Sequence, residues 1–344
     1  MGRDGKRCAV VIRTLNEADR LRLTLASLTR QTVMPEVVVT DDGSTDHTGA
    51  VLDMFRDALP LVTIRHDAPK GRSAASNAAA AAASGEVLVF LDGDMPAHPE
   101  LVERHLAAHA SRPGLVGRGE NYHLRCTRFL LDPETASPRA GEEARLAAMR
   151  PAEREKLRVT RAQIETDFAA IERRASLGIY PGAGPRKLYE LEVEALRQHP
   201  DCTLLWAAAA GSNQSVSRAA FMRSGGFDAV IDINEHRELA LRLCQSGARM
   251  GFVEGARAYH LTHRTGWRDP LVEAKWEAAF HRRHPTLAVK LLAVFWASIA
   301  DNSRVPPEAR IASLPDLERR SAGTDGIDYD TVREVLLGLP PLAA

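Results

Sequence analysis

The chain has 344 residues, 44% of them apolar and 26% charged, ordinary values for a soluble globular enzyme able to bury a core without staples. Lys+Arg and Asp+Glu both number 45, which argues against a nucleic-acid binder working through global positive potential. Cys8, Cys126, Cys202 and Cys244 stand far apart with no Cys-x-x-Cys pair, so reduced thiols in a cytoplasmic protein are expected. The apolar run Cys8–Ile12 is too short for a secretory core. The longer run Leu287–Ala300 carries Lys290 and falls short of the ~20 residues of a spanning helix. A peripheral membrane contact is the other use such a stretch could have.

The first hundred residues alternate in type. Cys8–Arg13 is apolar and β-branched and predicts a buried strand. Glu17–Arg30 sets Leu21, Leu25 and Leu28 at helical spacing. Glu36–Thr40 predicts a second strand, Thr48–Ala58 a second helix and Leu61–His66 a third strand. Ser73–Ala83 is nearly all alanine, a helix that can lie close to a sheet before Gly85 ends it. Val87–Leu91 is a fourth buried strand. Such alternation predicts an α/β fold with a mostly parallel central sheet and helices on both faces. Ligands in such folds bind beyond the carboxyl ends of the strands.

Residues 120–203 differ in texture. Pro133, Pro138 and Pro151 interrupt them, Arg139–Arg174 is a charge-dense helical stretch, and Tyr180–Pro185 reads as a loop. A helical insertion serving as a lid or acceptor-docking element is expected here, with an oligomer contact or a plain solvated face as alternatives. Apolar segments return at Leu204–Ala209 and Gly251–Val253. Beyond Trp267 the chain reads as helical, loosened at Pro306, Pro307 and Pro315. The predicted organisation is a half at 1–119, the insertion at 120–203, a second half of the same domain at 204–270, and a helical tail at 271–344.

Three predicted strands end in polar clusters: Thr14-Leu15-Asn16-Glu17, Asp41-Asp42-Gly43-Ser44-Thr45-Asp46 and Asp92-Gly93-Asp94. Asp46 is expected to cap a helix. Carboxylates crowded at one sheet edge repel one another, and a divalent cation or a ligand's donors would relieve that. Asp-x-Asp across a glycine can aim two carboxylates at one hard cation such as Mg²⁺ or Mn²⁺.

Taken in order, TLNEAD, VVVTDDGSTD and KGRSAASNAAAAAASGEVLVFLDGDM resemble the donor-binding half of family 2 glycosyltransferases of the GT-A fold. GSNQSVSRAAFMRSGGFD, NEHRELALRL and AYHLTH resemble the acceptor half of the chondroitin-polymerase and galactosyltransferase-like branch. The resemblance implies a nucleotide-diphosphate sugar donor, UDP-linked first of all, transferred with inversion to a glycan, peptide or small-molecule acceptor. It implies that Thr14, Asn16 and Glu17 line the nucleotide, that Asp41, with Asp42 beside it, meets the base, and that Lys70 and Arg72 meet the phosphates. Asp92 and Gly93 would lie at the ribose and sugar. Asp94 and His260 would hold Mn²⁺ or Mg²⁺, with Asp92 as a further ligand, and Trp206 and Asn213 would face the acceptor.

His260 and His263 are three apart, which in a strand puts them on opposite faces, so only one is expected at a cation. His281 and His284 read as surface residues in a basic patch. Relatives carry Glu-Asp where this chain has Glu235-His236, and that Asp deprotonates the acceptor. Here either Glu235 or His236 would be the base, or the chain supplies none, while Glu238 pairs with Arg242 one helical turn on. Two rival readings are a non-catalytic sugar-nucleotide-binding scaffold and a nucleotidyltransferase. The latter is disfavoured because no glycine-rich loop follows the first strand.

Overall fold

The computed structural model describes residues 7–178, 187–231, 233–263, 275–300 and 303–337; the Tyr180–Pro185 loop and the stretch from Trp267 to Ala274 lie outside them. Strands β1 (Cys8–Thr14), β2 (Glu36–Asp41), β3 (Leu61–Arg65) and β4 (Val87–Asp92) are all parallel. The sheet continues through β5 (Leu115–His123), with β6 (Leu130–Asp132) and β7 (Ser137–Pro138) forming a separate hairpin and β8 (Ser176–Leu177) pairing with the end of β5. β9 (Gln214–Ser217) enters antiparallel between β4 and β5, and β10 (Arg249–His260) closes the edge parallel to β5. The order is β10-β5-β9-β4-β1-β2-β3, so the sheet is mixed and mostly parallel, as expected.

Period-two alternation divides the core. In β1, Cys8, Val10 and Ile12 face one apolar cluster, shared with helices α1 (Ala18–Leu28), α2 (Thr48–Phe55) and α4 (Leu101–Ser111). Ala9 and Val11 face the other, which holds the alanines of α3 (Arg72–Ala82). Small side chains let α3 lie close to the sheet, and this brings Arg72 to the strand ends.

The insertion is shorter than expected and irregular. β5 runs to His123, across the predicted 119/120 boundary. The charge-dense stretch forms four short helices, α5 (Glu143–Ala147), α6 (Pro151–Glu155), α7 (Arg161–Thr166) and α8 (Phe168–Glu172). Pro151 opens α6, while Thr160 and Asp167 accept backbone N–H bonds from Gln163 and Ala170 and restart the helix twice. The buried Arg20 guanidinium ties this element down by donating to Leu130 O at 2.7 Å, Leu131 O at 2.8 Å and Leu261 O at 3.3 Å. Glu172 accepts from Arg257 at 2.9 Å and the Tyr259 hydroxyl at 2.7 Å. The last helix before the second half, α9 (Leu188–Gln198), buries Leu191, Ala195 and Leu196 in the main core.

The second half adds α10 (Arg218–Arg223) and α11 (Glu235–Gln245). The tail forms α12 (Lys275–Arg283), α13 (Leu287–Ile299), α14 (Leu314–Ser321) and α15 (Tyr329–Leu337), and corrects two expectations. α13 is apolar all round and buried within the same cluster as α3 and α9, so its surface is not available to a membrane. Beyond Pro306 the chain is not loose, since Ala309, Ile311, Leu314 and Leu317 are buried. His281 is buried rather than on the surface, and His284 is half-buried, with Nε2 meeting Glu238 Oε1 at 2.9 Å. No described helix is long and apolar enough to cross a membrane.

Leu292 of α13 is fully buried. Leu292→Ala should lower unfolding stability by about 2–5 kcal/mol, read in urea titrations. A tail merely resting on the surface would leave the midpoint unmoved.

Candidate active site

Parallel register lines up the strand ends, with Thr14 opposite Asp41 and Arg13 opposite Asp92. The loops beyond β1 and β2 are knotted together by Asn16, which adopts a left-handed φ of 54°. Its Oδ1 accepts from the backbone of Thr45 at 2.7 Å, and its own N–H donates to Ser44 Oγ at 2.9 Å. Asp46 caps two helices, accepting from Ala18 N at 3.1 Å and Thr48 N at 3.0 Å. Asp41 is buried, with Oδ1 on Ser44 N at 2.8 Å and Oδ2 on the Arg65 guanidinium.

Asp42 brackets the loop that carries Lys70. It accepts from His66 Nδ1 at 2.6 Å, Lys70 N at 2.9 Å and Gly71 N at 2.9 Å. Gly43 has a φ of 83°, and a Cβ there would lie 2.9 Å from the Ala68 carbonyl carbon; no other residue fits. Lys70 is exposed at the mouth, and Arg72, opening α3, bears electrostatically on Asp92.

The end of β10 clamps the Asp-Gly-Asp loop. Leu261 N donates to Asp94 O, and Tyr259 N to Pro96 O, both at 2.9 Å. His260 Nε2 thereby lies 3.1 Å and His263 Nε2 3.2 Å from Asp94 Oδ2. Among the described residues these three form the one cluster with ligand atoms all within 4.8 Å of one another. Strand alternation fails to separate the two histidines because β10 stops at His260, and Arg20 holds the departing backbone at Leu261. Asp92, the further ligand expected, is not one of the trio, and its Oδ1 lies 3.2 Å from Arg13. His123 Nδ1 meets His260 Nδ1 at 3.2 Å, and burial followed by the charge of His260 pushes His123 down to about 2.

Burial would raise the Asp94 carboxyl pKa, but His260 and then His263 hold it far below the usual range. Glu17 shifts the other way, despite the charge of Arg20. Burial, then Asp94 and Asp92, push its carboxyl well up and favour the protonated form. It lies so close to Gly93 that a Cβ there would be 2.4 Å from Glu17 Oε1.

Glu235 is the first residue of α11, where the helix dipole favours an anion. It is 2% exposed. Its Oε1 accepts from Arg13 at 2.8 Å, so Arg13 bridges Glu235 and Asp92. Against the effect of burial, Arg13 and then His236 hold the Glu235 carboxyl below its ordinary value. Burial lowers the His236 pKa despite Glu235 beside it, leaving a neutral imidazole at neutral pH. Glu238 and Arg242 form the expected pair, bidentate at 2.7 Å.

The acceptor-side expectations are overturned. Asn213 is fully buried, and its amide donates to Glu120 O at 3.1 Å and Ala256 O at 2.8 Å while Oδ1 accepts from His105 at 2.8 Å. Nothing of it is left for a ligand. Trp206 is 2% exposed and packs on Phe280, a core residue. Sequence reasoning missed Arg13, His263, His123 and Arg237. Only the spacing of His263 gave any signal.

The architecture is the GT-A fold: the crystal structure of residues 1–349 of S. aureus TarS with UDP-GlcNAc superposes at a TM-score of 0.52 and 15% identity, covering 86% of this chain and 70% of that one. Residues 9–128, a stretch that runs from β1 to just beyond β5, match the sequence model described as Glycosyl transferase family 2. Validoxylamine A glucosyltransferase of Streptomyces hygroscopicus subsp. limoneus is 32% identical over 300 residues, 84% of this chain and 58% of its own length. The enzyme of the same name from S. hygroscopicus subsp. jinggangensis is also 32% identical, over 63% of its length. The chain thus spans about six-tenths of these curated relatives.

Arg13 yields a prediction with a definite sign. Glu235 has a lowered pKa in the fold, so its pairing stabilises the protein above the unfolded-state value and is lost as pH falls through the folded one. In Arg13→Met a buried carboxylate is left unpaired, costing about 3–5 kcal/mol at pH 7. Protonation relieves that cost, so urea titrations at pH 7 and pH 5 should show the penalty shrinking on acidification. A penalty equal at both would refute the pairing.

Proposed function

We propose that this chain transfers a sugar from a nucleoside diphosphate to an acceptor hydroxyl, with inversion and with the help of a divalent cation. The observation that carries this reading is the convergence of Asp94, His260 and His263 at the ends of β4 and β10, beside the Asp92–Arg13–Glu235 bridge. One carboxylate and two imidazoles fit a divalent cation, and nitrogen donors favour Mn²⁺ over Mg²⁺. Bound there, such a cation would offset the charge building on the leaving diphosphate. In this reading Lys70 and Arg72 meet the same phosphates, and Asp41 with Thr14 and Asn16 lines the nucleotide end. A UDP-linked hexose is the first donor to test, supported by the UDP-GlcNAc bound to TarS and by the glucosyltransferase relatives. The placement in the chondroitin-polymerase and galactosyltransferase-like branch rests on the motifs of the second half alone.

Glu235 is the base in this reading. It takes the acceptor's hydroxyl proton as that oxygen bonds to the anomeric carbon and the bond to the diphosphate oxygen breaks. Its lowered pKa keeps it ionised. His236 is the poorer base, because its Nε2 lone pair already accepts from Arg237 at 2.9 Å. The cysteines are free thiols, which supports a reducing, cytoplasmic setting.

Calorimetry with UDP, GDP and dTDP, each with and without Mn²⁺, tests the donor site; metal-enhanced binding of one diphosphate is expected, and binding of none refutes the reading. Asp94→Ala should abolish the Mn²⁺ enhancement while the fold survives. Glu235→Gln should lower turnover roughly 100-fold, whereas unchanged turnover removes it as the base. The anomeric proton coupling of the product reports the stereochemistry, and retention would sink the inverting assignment.

A further inference from the structure

His236 follows Glu235 on α11, and its surroundings decide what it does there. Arg237 follows it on α11. A guanidinium can only donate. Its Nη1 lies 2.9 Å from His236 Nε2, so that nitrogen must present its lone pair and the single proton of the neutral ring must sit on Nδ1. Nδ1 faces Glu235 Oε2 at 3.6 Å, longer than a hydrogen bond yet close enough for the N–H dipole to attract the carboxylate. Gly211 leaves room for the ring, because a Cβ there would lie 3.3 Å from Nδ1.

Arg237 is itself fixed from four directions. It donates to Asn234 Oδ1 at 2.7 Å, Ala207 O at 2.8 Å and Glu192 Oε1 at 2.9 Å, and its guanidinium lies 5.0 Å from the centre of the Trp296 ring. The other Glu192 oxygen meets Arg118 at 2.6 Å, and both side chains are buried. Arg118 in turn donates to Ala208 O at 2.9 Å. One carboxylate between two guanidiniums leaves neither partner free to rotate.

We infer that Arg237, clamped by Glu192 and Arg118, is a positioning residue that locks His236 as the Nδ1–H tautomer facing Glu235. The locked ring then serves as a fixed dipole that aims the carboxylate instead of taking the acceptor's proton. The charged groups around the ring are Glu235 and Arg237 on α11, Arg13 on β1, Glu192 on α9 and Arg118 on β5. The catalytic consequence rests on Glu235 being the base; the tautomer does not.

The test reads the ring directly. Long-range ¹H–¹⁵N spectra of the full chain labelled at histidine, with His236→Gln supplying the assignment, should show a protonated Nδ1 and a bare Nε2 at pH 7. A protonated Nε2 overturns the inference, whatever the chemistry turns out to be. Arg237→Lys keeps a donor at Nε2 and should keep the tautomer. Arg237→Met frees Nε2 and removes a positive charge, so the tautomers should mix and His236 should protonate at higher pH. The acid limb of kcat/KM should move the same way, with UDP affinity unchanged. If Arg237→Met folds and leaves tautomer and pH profile as they were, Arg237 is only a packing residue and the inference fails. If it does not fold, the wild-type and Arg237→Lys spectra still decide.

Discussion

A guanidinium at the end of β1 sits between two carboxylates that come from opposite halves of the chain. Arg13 takes Asp92 from β4 on one side and Glu235 from α11 on the other. Without a cation between them, two acids at one crowded sheet edge would repel each other and pick up protons. The same logic runs outward. Asp94 is faced by two imidazoles, Asp41 is paired with Arg65, and Glu192 with Arg118 and Arg237. The site is a set of buried acids, and nearly every one has its own base.

Glu17 is the exception, and the contrast is informative. Burial and the charges of Asp94 and Asp92 outweigh the opposing charge of Arg20, and its carboxyl is pushed well up. The protonated form favoured there can donate a hydrogen bond where an ionised one could only repel a phosphate. The carboxyls of Glu17 and Asp94, on adjacent loops, are thus shifted in opposite directions by the groups around them.

The parallel half of the sheet was legible because its signals are local. β1 to β4 are continuous apolar runs bounded by turn residues, and their ends carry the acids. Asp46 as a cap and the Glu238–Arg242 pair were legible for the same reason. What failed involved long-range packing. Trp206 and Asn213 look like ligand contacts in a motif, yet the tail and α4 cover them, and no local pattern says so. His263 was misjudged because period two was applied past the end of a strand. Arg13 and Glu192 look in sequence like ordinary charged residues. Only the register of β1 against β4, and the docking of α9, give them partners.

The antiparallel strand β9 has a bearing on how the chain reaches this state. β4 and β5 are neighbours in sequence but not in space, because Gln214–Ser217 is inserted between them. Until that short segment arrives, after the whole insertion, β4 presents one row of unpaired backbone groups. During synthesis the first half would therefore emerge with an open apolar edge, and that edge closes only when the second half is made. The order of assembly is imposed by one four-residue strand, so interruptions between Asp92 and Gln214 threaten solubility before they threaten catalysis.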